Sequence, residues 1–271
     1  MRLRKKIVLF FIFCSINLLV KAENKRIVSL TPSLTNMVYL LDGQDNIVGS
    51  TAFCDKAIED GKKVVASQMS VNIEKILNIN PDYIITTKLT SYKDIERLRL
   101  TGLNVKVFDV ASSFDELCDQ FIQIGSLIGK KNHAKTIIDN QIKRLNKLQS
   151  KIVYNDKPEI FMQLGVKPLF TVISGTFMND YISLSGGKNI ASDFKRGTIT
   201  RENVLIRDPD VIIIVMMGLT GEEEKQNWKR YSNLKAVKNN KIFIIDDDKA
   251  CSPTPVTFVD TLEEIIGLIY M

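Results

Sequence analysis

The sequence predicts an α/β protein built as two similar lobes, each with a central, mostly parallel sheet, joined by one long α-helix and leaving a ligand cleft between them. Three observations predict it. Short apolar, β-favouring runs alternate with helical patterns along most of the chain, the pattern of parallel sheets covered on both faces. The alternation breaks once, where two helical patterns follow each other with no strand between them. A segment of the first half recurs in the second half with its acid and its Pro-Asp pair in register.

The elements follow in order. Arg26 to Thr31 is apolar and ends at Pro32, with Ser33 placed to cap a following helix. A short strand near Asn46 to Ser50, a helix near Asn72 to Ile79, a buried strand from Asp82 to Thr87, a helix near Tyr92 to Leu100 and a strand from Asn104 to Val110 complete the first unit. Phe114 to Ile128 and Ala134 to Ile152 are the consecutive helices. In the second, Ala134, Ile137, Ile138, Ile142, Leu145, Leu148 and Ile152 recur every three or four residues, a stripe about 28 Å long and enough to cross a domain. Alternation resumes with strands at Glu159 to Leu164 and Leu169 to Ile173 and a helix near Asn179 to Ser185, capped by Gly186 and Gly187. Strands from Val211 to Met216 and Lys241 to Ile245 and a helix from Val256 to Ile269 close the chain. The implied boundaries are 23–129 for the N-terminal lobe, 130–153 for the interlobe helix and 154–271 for the C-terminal lobe.

Residues 1–22 have the order of a secretory signal. Arg2, Arg4, Lys5 and Lys6 precede an apolar run from Ile7 to Val20 that is shorter than the roughly 20 residues a spanning helix needs, and Ala22 offers a small residue for cleavage. A free periplasmic protein is expected. Cys14 follows Phe13, where lipoprotein processing wants a small residue, so it is not read as a lipid anchor. The segment's five Lys or Arg account for all but one of the excess of 37 bases over 31 acids. The mature protein is therefore nearly neutral and lacks the retained basic face that nucleic-acid binding needs. Cys54, Cys118 and Cys251 form no CxxC pair or zinc spacing, and the single histidine, His133, lies in a helical pattern; a bare zinc or manganese site built from several histidines is excluded. Whether Cys54 and Cys251 are free, paired or ligands is left open.

The internal echo is the strongest single signal. Val71 to Ile85 reads VNIEKILNINPDYII and Thr200 to Ile213 reads TRENVLIRDPDVII; with a shift of 128, Glu74 falls on Glu202, Leu77 on Leu205, Pro81 on Pro209 and Asp82 on Asp210. In each copy a short helix starts with an acid and ends at Pro-Asp before a buried strand. Glu74 and Glu202 thus become matched carboxylates in the first turns of equivalent helices. Acids there are favoured by the helix dipole alone; their repetition suggests a two-point electrostatic dock onto basic residues of a partner.

In open α/β sheets, ligands bind beyond the carboxyl ends of the strands. The loops so placed include Pro32 and Asp246 and supply Phe53, Phe170, Met216 and Met217 as apolar walls, with Lys88, Lys167, Asp247 and Lys249 as scattered polar groups, which suits a large, partly apolar ligand. The acidic run Asp246 to Asp248 reads as a solvated loop rather than a cation site. There is no GxSxG, HExxH, P-loop or strand-to-helix GxGxxG, so no enzyme, cofactor or resident metal is expected.

These residues resemble a known family. RIVSLTPSLTNMVYLL, VNIEKILNINPDYII, FMQLGVKPLFTVISGT, LSGGKNIASDF and ITRENVLIRDPDVIII together resemble the periplasmic binding proteins for cobalamin, haem and ferric siderophores, over almost all of the mature chain. The resemblance implies a carrier with a rigid interlobe helix and modest closure. It implies docking of Glu74 and Glu202 on arginines of an ABC permease dimer, with a cytoplasmic ATPase behind it, and a metal chelate as ligand. Partners then include no nucleic acid, and the membrane only through the permease. Gln68 and Asp247 stand where cobalamin-binding members carry tryptophans, and Ala250 and Cys251 where an arginine is often found. Tyr92 is the candidate iron donor of a haem reading; Lys88 and Lys249 are the cleft cations of a siderophore reading. The rival classes are an enzyme on paired α/β lobes and a ligand sensor of the same fold without a transport role.

Overall fold

The computed structural model describes residues 24–67, 70–152, 157–216 and 220–270. The expected signal segment, Gln68 and the end of the loop after Met216 lie outside them. Among the described residues two five-stranded sheets form, with no strand pairing between them. In the first, β1 (Ile27–Ser29), β2 (Ile47–Thr51), β3 (Lys63–Ala66), β4 (Tyr83–Thr87) and β5 (Val105–Phe108) are all parallel, in the order β3-β2-β1-β4-β5. In the second, β6 (Glu159–Val166), β9 (Val211–Val215) and β10 (Ile242–Ile245) run parallel, β7 (Leu169–Thr171) folds back antiparallel on β6, and the two-residue β8 (Lys188–Asn189) pairs with its start. Segment 197–199 extends this sheet beyond β7 through backbone bonds from Thr171 to Gly197 and from Ile199 to Leu169.

The apolar runs are central strands because both faces are buried. In β9, Val211, Ile213 and Val215 enter one core while Ile212 and Ile214 enter another; in β6, Ile160 and Met162 separate from Phe161 in the same way. Val28 and Ile84 likewise face an outer core of the first lobe with Ile76, Ile79 and Leu98.

The helices are α1 (Pro32–Leu40), α2 (Asp55–Glu59), α3 (Ile73–Ile79), α4 (Tyr92–Leu100), α5 (Phe114–Leu127), α6 (Lys131–Gln149), α7 (Phe177–Leu184), α8 (Arg201–Arg207), α9 (Thr220–Lys229), α10 (Lys235–Lys238), α11 (Asp247–Cys251) and α12 (Pro255–Tyr270). Helix α1 starts earlier than its Ser33 suggested: Thr31 is the cap residue and Pro32 takes the first helical position, where a missing N–H costs nothing. The 19-residue α6 ends at Gln149, short of the expected Ile152; Ala134, Ile138, Leu145 and Leu148 are buried, Ile142 is exposed, and His133 is a solvated residue of its first turn.

The lobes are not independent bodies. The inner faces of both sheets meet α5, α6, α7 and α12 in one continuous apolar core. At its centre Phe258 of α12 stacks on Phe114 of α5 at 4.8 Å and on Tyr181 of α7 at 4.4 Å. The Phe114 amide donates to Asp180 at 2.9 Å, and Arg144 of α6 pairs with Asp260 and Glu263 of α12.

Candidate functional site

The two echo segments fold into the same module. Asn72 caps α3 by accepting from the Lys75 amide, and Thr200 caps α8 by accepting from the Asn203 amide. Each helix ends on a left-handed residue, Asn80 or Asp208, followed by a buried proline. The next aspartate is a clamp. Asp82 Oδ2 accepts from the Arg26 amide at 2.8 Å, and Asp210 Oδ2 accepts from the Glu159 amide at 2.8 Å, so each ties its strand to the start of β1 or β6. Glu74 and Glu202 are then the second residues of equivalent helices, and both are exposed. The Glu202 carboxyl is held below its ordinary value, first by its own backbone amide and then by Thr200.

Helices α3 and α8 each precede and run back along a parallel strand, so their first turns lie at the end of the sheet where the strands finish. The cleft loops lie at that end too. In lobe one the strand order reverses at β1 and β4, whose following loops diverge. Thr31 accepts from the Thr87 amide across that split, beside partly buried Pro32. Exposed after the strands of this lobe are Phe53 (52 %), Tyr92 (77 %), and two apolar residues that sequence reasoning missed, Leu89 and Val110. Tyr92 opens α4, where the helical pattern placed it. Lys88 is spoken for within its own lobe, in an exposed ion pair with Asp109.

In lobe two, Phe170 is 43 % exposed and its ring lies on Gly197, where an added Cβ would come within 2.4 Å of it. No apolar pattern marks Gly197; only the pairing of 197–199 with β7 reveals it. Met216 is half-buried where β9 ends. The acidic run is helical: Asp246 caps α11 by accepting from the Lys249 amide, and Asp247, Asp248 and Lys249 form its first turn. Burial raises the Asp248 carboxyl above its ordinary value, helped by Asp247, Asp246 and, from the other lobe, Asp55. The rim there is acidic. No group of three or more His, Cys, Asp or Glu among the described residues is placed to hold a metal.

The cysteines among the described residues, Cys54, Cys118 and Cys251, are free. Cys54 is buried in lobe one, with Thr35 Oγ1 at 3.2 Å and Thr51 Oγ1 at 3.3 Å, so it does not face Cys251 as a ligand. Burial, then Asp247 and Asp248, push the Cys251 thiol up to about 11.

Beneath the lobe-two loops lies a polar network that the sequence did not announce. Glu224 of α9 is 2 % exposed and accepts from Gln163 at 3.0 Å, Asn227 at 3.0 Å and Arg201 at 2.5 Å. The Arg201 guanidinium lies 4.5 Å from the centre of the Trp228 ring, whose indole N–H donates to Gln163 at 2.6 Å.

Residues 27–249 match the family model described as periplasmic binding protein. An uncharacterized ABC transporter substrate-binding lipoprotein of Bacillus subtilis is 28 % identical over 261 residues, covering 93 % of this chain and 82 % of its own. The crystal structure of a possible iron-binding (periplasmic solute-binding) protein of Staphylococcus epidermidis superposes with a TM-score of 0.79 at 29 % identity, covering 92 % of this chain and 99 % of that one. The periplasmic vitamin B12-binding protein of Vibrio cholerae superposes with a TM-score of 0.77 at 26 % identity, covering 91 % and 96 %.

Proposed function

The chain belongs to the periplasmic binding protein family, and from that premise we propose that it is the substrate-binding component of an ABC importer, a carrier and not an enzyme, that delivers an iron- or cobalt-containing chelate to its permease. The observation that carries this reading is the duplicated module that presents Glu74 and Glu202 in the same exposed first-turn position of two lobes. Two carboxylates held by one scaffold form a register for a two-fold partner: exposed charge sets orientation and on-rate without demanding a large apolar interface. The names of the Staphylococcus and Vibrio relatives, iron and vitamin B12, support the ligand class.

In this reading the ligand lies between Pro32, Phe53, Lys88 and Tyr92 of lobe one (23–129) and Phe170, Met216, Asp246, Asp247 and Lys249 of lobe two (154–271), with 130–153 as the rod. Phe53 and Phe170 supply flat apolar contact, and the acidic rim around Asp248 favours a neutral or cationic face of the ligand there. Export uses a signal cleaved after Ala22. The mature protein is then expected to begin at Glu23, which intact mass determines; a diacylglyceryl adduct on Cys14 would instead make it a lipoprotein.

The test is direct. Protein purified from its own periplasm is expected to carry visible absorbance from the chelate, and the stripped protein to rebind one of cyanocobalamin, haemin or a ferric siderophore with a change in fluorescence of Trp228. A colourless protein that ignores all three contradicts the ligand class.

A further inference from the structure

Glu74 and Glu202 sit on helices that are anchored differently. Under the shift of 128, Arg201 falls on Ile73, a partly buried residue packed on the outer core of lobe one. Lobe one thus fixes its first turn by apolar contact. Lobe two uses a cation whose Nη1 has no acceptor among the described residues, although an apolar side chain suffices for the equivalent task in the other lobe.

That cation is tightly held. Helix α8 is seven residues long, too short to persist without tertiary support, and its cap supplies one bond at 3.3 Å. Arg201 adds a charge-assisted bond of 2.5 Å to a carboxylate that is almost wholly buried, and a flat contact with Trp228. The groups holding Glu224 and Trp228 reach the cleft. Gln163 bonds both, and its amide also donates at 3.1 Å to the Gly165 carbonyl in the hairpin that carries Phe170. Glu224 itself rides on α9, which begins at Thr220, four residues after Met216.

We infer that Arg201 is a positioning residue of the lobe-two dock: bound to Glu224, it sets where Glu202 projects, and through Gln163 and α9 it makes that placement depend on the cleft segments around Phe170 and Met216. The functional half of the inference rests on the docking reading above. Arg201 acts in this inference through Glu224 and Trp228, the groups it contacts. Ile73 gives lobe one no comparable link, so the two docks differ: the lobe-one acid is fixed, and the lobe-two acid follows the cleft.

Hydrogen exchange by mass spectrometry on the mature protein tests the placement without any ligand. Arg201→Met combined with Glu224→Gln removes the charge pair without leaving a buried ion unpaired, so the fold survives to be measured. Peptides covering 200–204 are expected to exchange about tenfold faster in that variant, while 72–76 in α3 stay unchanged. Gln163→Met, which leaves Arg201 and Glu224 in place, is expected to accelerate 200–204 in the same direction, and Arg201→Lys to fall between wild type and the double variant. Unchanged exchange at 200–204 in the double variant overturns the inference, and an effect there with none from Gln163→Met overturns its link to the cleft. Capture by membrane vesicles carrying the permease separates the two readings. If Glu202→Ala does not weaken capture, the docking reading fails. If Glu202→Ala weakens it and the double variant does not, Arg201 does not position the dock.

Discussion

Phe53, just after β2, and Phe170, in β7, are large apolar side chains left about half-exposed on opposite lobes. Removing either ring should remove ligand contact without opening a core. Phe53→Ala and Phe170→Ala are each expected to weaken chelate binding about tenfold by fluorescence titration, with urea midpoints close to wild type. Glu224 is the opposite case, a carboxylate whose worth is to the fold. Burial pushes its carboxyl up, but hydrogen bonds from Gln163, Arg201 and Asn227, with the Arg201 charge, outweigh burial and hold it below its ordinary value. Its contribution is therefore fully present above the ordinary glutamate value of about 4.3 and is lost as pH falls through the lower folded value. Urea unfolding followed from pH 7 downward should show wild type losing stability over that acidic window. Glu224→Gln, less stable at neutral pH, should lack this component of the slope.

At the scale of elements, the repeated module makes a paired prediction. The Asp82 and Asp210 clamps and the Asn72 and Thr200 caps do the same work in two lobes, so equivalent substitutions should cost alike: about 1 kcal/mol for Asn72→Ala or Thr200→Ala, and about 1–3 kcal/mol for Asp82→Ala or Asp210→Ala, read by urea unfolding. This module was legible because its parts are contiguous: cap, acid, proline and aspartate lie within one short segment, and the strand that follows is buried on both faces. What escaped reading lacked such contrast. Lys63–Ala66 is a short edge strand with its first two residues exposed, and α2 is little more than one turn. Helix α9 reads TGEEEKQNWK, which has no apolar stripe, because its buried face is made of Gly221, Glu224 and Trp228. The network around Glu224 joins residues 61, 23 and 65 positions apart, and pairings of that range have no signature along a chain. The acidic run before Cys251 looked like loop because three aspartates in a row have no helical periodicity; Asp246 turns it into a capped helix.

The molecule as a whole is two sheets on one shared core. The consecutive helices and the echo made the two-lobe plan readable, but nothing local reveals that the inner faces of both sheets meet in a single apolar mass, with Phe258 stacked between Phe114 and Tyr181. Phe258→Ala should cost about 3–5 kcal/mol and lower both lobes together, and wild type should unfold in one transition by circular dichroism and by Trp228 fluorescence alike. On the proposed carrier reading, recognition by the importer comes chiefly from the exposed acids Glu74 and Glu202, and the most direct measurement is permease binding and chelate uptake by the Glu74→Lys, Glu202→Lys double variant. The account predicts normal folding and chelate affinity with permease binding and uptake abolished; uptake at the wild-type rate by the charge-reversed protein would contradict it.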